Sequence, residues 1–147
     1  DNVPLAQYLG DKTKLATYRM PKQIYYPFGC NASQKTAIET ALTHQVSIIQ
    51  GPPGTGKTQT ILNIIANLLM NDKTVLVVSN NNSAVENVAE KLDGESLGFI
   101  VAKLGNMQNK EVFIANQANY PNMTELKIDE LASAKMLAQA SYCFTRI

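Results

Sequence analysis

No tryptophan occurs in the 147 residues, and the chain holds only one histidine and two cysteines. Cys30 and Cys143 lie far apart, and His44 stands alone, so no Cys/His cluster has metal-ligand spacing. Two distant cysteines make no disulfide framework either, and reduced thiols are expected. Long apolar runs are absent: none approaches the ~20 residues of a membrane span. The N-terminus lacks a basic patch followed by an apolar stretch, so no signal peptide is visible. Charge of one sign is lacking too, with 13 basic and 12 acidic residues and a net charge of +1. That balance excludes a generally basic surface and leaves room for a local basic groove. There is no internal repeat and no low-complexity tract. The length fits about one domain and suffices to bury a core.

Glycine is present where it matters. Gly51-Pro52-Pro53-Gly54-Thr55-Gly56-Lys57-Thr58 fits G-x-x-x-x-G-K-[ST], the phosphate-binding P-loop, at every fixed position. A triphosphate crowds several negative charges together and needs many donors at close range. Glycines let the backbone bend so that successive N–H groups form an anion-binding nest. The helix that follows aims its free N–H groups and positive end at the same phosphates. Lys57 is expected to reach the β- and γ-phosphates, and Thr58 to offer its hydroxyl to Mg²⁺. Val46-Ser47-Ile48-Ile49-Gln50 before the loop reads as a buried strand, and Thr58 to Met70 as a helix apolar over most of its circumference. Strand, loop and helix in that order is the context a P-loop requires.

The flanks follow from the same patterns. Residues 1–30 are the least readable part and are expected to form an N-terminal extension. Asn31 with Gln34 fits a capping box opening a helix to about His44. Gln34 has a second reading, because a carboxamide can donate to and accept from the edge of an adenine at once. His44 reads as a solvated residue beside the helix C-terminal carbonyls. Thr74-Val75-Leu76-Val77-Val78 reads as a second buried strand, giving a right-handed parallel βαβ unit with the first. Ser79 to Ser83 then lies at the carboxyl end of that strand, where open parallel sheets bind ligands. Ser83 with Glu86 matches a capping box for a helix through Leu92. The same polar run, Asn81 and Asn82 with Asn87, offers short donors to the phosphates of a nucleic-acid strand. Phe99 to Leu104 is a third strand candidate. Helix is expected near Lys110–Asn116 and from Thr124 to Ala140, and the abrupt apolar ending at Ile147 is expected to continue in a longer chain.

One part of an ATPase is missing. Hydrolysis needs an acidic residue at a strand end to support Mg²⁺ and a group to orient water. The only Asp-Glu pair, Asp129-Glu130, follows Glu125-Leu126-Lys127-Ile128, whose alternating charge reads as a solvated helix rather than a buried strand. The chain is therefore expected to bind nucleotide and to hydrolyse it poorly by itself.

Three blocks together resemble the ATP-binding domain of superfamily-1 helicases, in particular the nonsense-mediated-decay RNA helicases and their bacterial AAA-type relatives. Asn31-Ala32-Ser33-Gln34 is similar to the adenine-reading Q motif. Gln50 through Thr58, with Gln59-Thr60, is similar to the family's P-loop block. Val77 through Asn87 resembles motif Ia, with Asn81 where the family usually has serine. Lys103-Leu104-Gly105 resembles the segment closing that subdomain. The resemblance covers about residues 28–105. It implies an α/β P-loop NTPase (RecA-like) fold, a parallel sheet flanked by helices, incomplete and with extra helical segments at both ends. Residues 31–105 would be part of the motor domain and 106–147 the start of an inserted, mainly helical subdomain. It implies ATP and Mg²⁺ as cofactors, with Gln34, Gly51, Pro52, Pro53, Gly54, Thr55, Gly56, Lys57, Thr58 and Gln59 at the nucleotide. Lys57 and Thr58 carry the catalytic role and Thr58 the metal. It further implies contact of Asn81, Asn82 and Asn87 with single-stranded nucleic acid, a cytoplasmic location, no membrane, and a monomeric fragment. Two alternatives stand beside it: an AAA+ remodelling ATPase using the same loop, and a non-catalytic nucleotide-sensing module.

Overall fold

The computed structural model describes Leu9, residues 15–105 and residues 107–115. Contacts divide the chain into two compact units, Asp1–Val101 and Ala102–Ile147. In the first, helices α1 (Ala32–Thr43), α2 (Lys57–Met70) and α3 (Asn82–Gly94) pack in sequence order, α2 touching both of the others. A short 3₁₀ turn, Gly98–Ile100, follows α3. The described part of the second unit contains helix α4 (Met107–Ala115).

Helix α1 starts as its sequence predicts. Asn31 Oδ1 accepts from the Gln34 N–H at 2.9 Å, and Gln34 Oε1 accepts from the Asn31 N–H at 2.8 Å. That reciprocal pair satisfies two of the donors every helix start leaves open. Ile38 is the helix's fully buried anchor. His44 is exposed and closes the helix, its N–H donating to Thr40 at 3.1 Å. Thr17 and His44 then form an antiparallel bridge.

The core lies between α2 and α3. Leu62, Ile65, Val88 and Leu92 form its buried cluster, with Phe28, Val75, Val77, Leu97 and Val101 packed against it. Each fully buried side chain of this size contributes about 1.5–3 kcal/mol by leaving water.

Three expectations are corrected. First, the predicted parallel strands are extended segments without a ladder: no strand occurs among the described residues. Residues 74–78 keep the alternation of a strand. Val75 and Val77 face the core, whereas Leu76 and Val78 are 84% and 78% exposed. Ile48 is 77% exposed in the segment before the loop. Alternation is a local property, while a ladder needs a neighbouring chain segment. Secondly, the candidate strand at Phe99 begins as the 3₁₀ turn, because the chain reverses tightly after α3 through Ser96 (φ 60). Thirdly, α3 is capped by Asn81, not Ser83: Asn81 Oδ1 accepts from the Ser83 N–H at 3.0 Å. Asparagine is at least as good an N-cap as serine, so the earlier residue takes the position. The helix expected from Thr124 to Ala140 lies outside the described residues.

Candidate nucleotide-binding site

The loop between residues 50 and 57 takes a shape that only its glycines permit. Gly54 and Gly56 have φ of 83° and 78°, in the left-handed region that side chains disfavour. A Cβ on Gly51 would stand 2.7 Å from Thr55 Oγ1, and one on Gly56 would collide with the Gln34 amide. The Thr55 hydroxyl donates to Pro52 O at 2.9 Å and tightens the turn. Gly56 is also the N-cap of α2 and supplies no side-chain cap. The first-turn N–H groups of α2 are thus left for an external acceptor.

Lys57 is folded across this loop. Its ammonium donates to the carbonyls of Gly51 at 2.6 Å and Pro52 at 2.8 Å. Both acceptors are neutral, and an anionic phosphate oxygen is the stronger partner for the same charge. Thr58 is half-buried beside it in the first turn of α2. A nucleoside triphosphate with Mg²⁺ fits this donor set: glycine backbone, an open helix start, one ammonium and one hydroxyl.

Behind the loop stand two glutamines. Gln34 is buried, and its amide nitrogen lies 3.3 Å from Thr55 O, 3.2 Å from Gly56 O and 3.1 Å from Gln59 Oε1. Gln59 Nε2 in turn donates to Phe28 O at 2.5 Å. The capping role predicted for Gln34 is present, and a brace on the phosphate loop is added to it. Sequence reasoning missed the next members of this row, Asn63 and Asn67, both fully buried in α2. Their signal was the spacing: Gln59, Asn63, Asn67 and Asn71 recur every four residues along one helix face.

A cavity of about 890 Å³ opens on the loop. Gly54, Lys57 and Thr58 line one side of it, Phe28 another, and Lys91 and Glu95 from the end of α3 a third. Asn81, Asn82 and Asn87 are exposed near the start of α3 and do not line this cavity. Of the predicted nucleotide residues, Pro53, Gly54, Gly56, Lys57, Thr58 and Gln59 line the cavity, whereas Gln34, Gly51, Pro52 and Thr55 do not. Asp129, Glu130 and Cys143 lie outside the described residues; Cys30 is exposed and free. Partial desolvation of its sulfur, in a residue exposed overall, pushes the Cys30 thiol up. Burial, and then the Glu39 carboxylate, push Tyr26 up to about 12. Among the described residues no cluster of His, Cys, Asp and Glu could hold a metal, and no helix is long and apolar enough to cross a membrane.

The fold of the loop and its helix define a P-loop NTPase. A protein-family profile described as AAA domain matches residues 29–145. With that match over most of its length, the chain belongs to the AAA domain family. Among curated relatives, the DNA polymerase alpha-associated DNA helicase A of Schizosaccharomyces pombe is 40% identical over 83 residues, 56% of this chain and 12% of that protein. The Regulator of nonsense transcripts 1 homolog of Neurospora crassa is 33% identical over 136 residues, 86% of this chain and 12% of that protein. The DNA-binding protein SMUBP-2 of Mesocricetus auratus is 38% identical over 85 residues, 57% of this chain and 9% of that protein. The chain thus spans about a tenth of the length of these relatives. No solved structure matches it significantly.

Proposed function

We propose that this chain is the nucleotide-holding part of an ATP-dependent nucleic-acid helicase or translocase. The observation that carries the reading is the loop itself, with left-handed Gly54 and Gly56 delivering Lys57 to an uncapped helix start. Lys57 leaves the Gly51 and Pro52 carbonyls for phosphate oxygens. Thr58 would hold Mg²⁺ through its hydroxyl oxygen, and the ion would supply positive charge against the phosphates. Gly51, Pro52 and Pro53 shape the loop around the phosphates, and Gly54, Thr55 and Gly56 offer them backbone N–H donors. Gln34 exchanges a loop carbonyl for the edge of adenine, and Gln59 keeps it oriented. The helicase name of the Schizosaccharomyces pombe relative supports this reading over a remodelling ATPase or a nucleotide sensor.

Further parts of the proposal follow from the resemblance. Residues 46–50 and 74–78 take their places in a RecA-like parallel sheet whose other strands come from elsewhere in the intact protein. Residues 1–30 form an extension, 31–105 part of the motor domain, and 106–147 the start of an insertion. Asn81, Asn82 and Asn87 touch the backbone of a single strand, with Asn81 also capping α3. The setting is cytoplasmic, and the fragment is monomeric.

Lys57→Ala tests the phosphate reading. A hydrogen bond to a charged group is worth about 1.5–3 kcal/mol, so affinity for a slowly hydrolysed ATP analogue should fall at least about tenfold by calorimetry on the intact protein. Equal affinity in wild type and variant would remove the basis of the proposal.

A further inference from the structure

Three carboxamides on α2 tie it to the segment that precedes α1. Asn67 Oδ1 accepts from the Tyr25 N–H at 2.8 Å, and Asn67 Nδ2 donates to Tyr25 O at 2.6 Å. One helical turn nearer the loop, Asn63 Oδ1 accepts from the Phe28 N–H at 3.3 Å, and its Nδ2 donates to Gly29 O at 2.8 Å. One turn nearer still, Gln59 Nε2 donates to Phe28 O at 2.5 Å. Side chains of a single helix thus take up five backbone groups of residues 25–29 and make that segment a fixed edge. Both asparagines are fully buried, which is costly unless their polar groups find partners, and here they do.

Gln59 differs from the asparagines in having a second hold. With its nitrogen on Phe28 O, its Oε1 accepts from Gln34 Nε2 at 3.1 Å. Turning the Gln59 amide over would set nitrogen against nitrogen and oxygen against oxygen, so the network fixes its orientation. Gln34 has its own oxygen committed to the Asn31 N–H at 2.8 Å, which leaves Nε2 to face the loop. The two protons of that nitrogen meet three acceptors: Gln59 Oε1, Thr55 O at 3.3 Å and Gly56 O at 3.2 Å. Gly56 comes this near because it lacks a side chain, and a Cβ there would collide with the Gln34 amide. A line of hydrogen bonds therefore runs from the Phe28 carbonyl through Gln59 and Gln34 to the backbone just before Lys57. Because one acceptor is in surplus, a loop carbonyl can let go without leaving a buried N–H unmet. Gln59 keeps its grip on Gln34 while the loop adjusts.

We propose that Gln59 is a positioning residue for phosphate binding: it holds Gln34 against the Thr55 and Gly56 carbonyls and so presets the loop from the fixed segment at residues 25–29. This role rests on the nucleotide-binding reading and concerns the phosphate part of that site, not the base. A loop already held in its binding shape loses less entropy when the phosphates arrive. A side chain of similar length without the amide cannot pass on the hold, since a thioether has no proton to donate to Phe28 O.

The test uses the intact protein and two ligands, inorganic tripolyphosphate and a slowly hydrolysed ATP analogue, at a temperature where thermal melts show every variant folded. Tripolyphosphate offers the same anions without a base. Gln59→Met keeps the length and apolar stem of the side chain. It should lower tripolyphosphate affinity about fivefold, the worth of one hydrogen bond, and analogue affinity by the same factor. Gln34→Met should also lower tripolyphosphate affinity. The double variant should then fall no further than the weaker-binding single one, because both act through one line of bonds. Unchanged tripolyphosphate affinity in Gln59→Met would overturn the proposal and leave the residue a tie within the fold. A fall confined to the analogue would overturn it too, since the hold would then serve the base. Losses that multiply in the double variant would mean that Gln59 meets the phosphates by itself, again against the proposal. Wild-type protein that binds neither ligand would instead overturn the nucleotide reading, and the positioning role with it.

Discussion

Gln34 serves two structures at once. Its oxygen completes the cap of α1 and its nitrogen faces the carbonyls of Thr55 and Gly56. Gln34→Ala leaves the Asn31 N–H and the brace unpaired, and unmet polar groups cost about 1–3 kcal/mol. The variant should therefore unfold at lower urea and also lose part of its preference for ATP over GTP analogues. Lower stability with an unchanged ATP/GTP ratio would leave Gln34 a brace without a base-reading role. The residues of the loop were legible in the sequence for a plain reason: a phosphate cradle needs φ values that only glycine takes freely, at fixed spacing from the lysine. Gly54 and Gly56 meet that requirement in the structure. The self-contacts of Lys57 were not legible, because they depend on where loop carbonyls point.

Helices were read more surely than extended segments. The capping box of α1 appears as the sequence predicts. Helix α2 forms where a helix was expected, but it is not apolar over most of its circumference, since Thr60, Asn63 and Asn67 are among its buried residues. The start of α3 moved because Asn81 and Ser83 are both good caps and spacing alone cannot rank them. The asparagine row in α2 escaped notice for a different reason. A polar residue inside an apolar helix reads as a face turned to solvent, unless the segment it binds is known, and Tyr25 lies 42 positions away from Asn67. Asn67→Ala should show what the row is worth. It removes both contacts to Tyr25 and leaves a buried gap, which predicts a loss of about 2–4 kcal/mol in chemical denaturation. Asn71→Ala, at the exposed end of the row with one bond to Asn67 O, should cost well under half of that. Equal small losses would mean that the segment before α1 is not held by α2.

Among the described residues of the first unit, the core lies between α2 and α3. Val75 and Val77 bury their faces, and Leu76, Val78 and Ile48 do not. This chain spans about a tenth of the length of its relatives, and the proposed sheet would draw its other strands from the intact protein. A sheet is legible in sequence only as a tendency, since alternation says which face is apolar and not what pairs with the edge. The acidic group and the charge-stabilising arginine of an ATPase belong to the same wider protein in this account. In the proposed function the chain supplies the phosphate loop and one candidate contact to a strand. Its central claim is that this nucleotide site drives a nucleic-acid motor. The direct measurement is ATP hydrolysis by the intact protein, alone and with single-stranded DNA or RNA. One or both strands should raise the rate severalfold, and Lys57→Ala should abolish the increase. A rate indifferent to both strands, in a protein that still binds ATP, would contradict it.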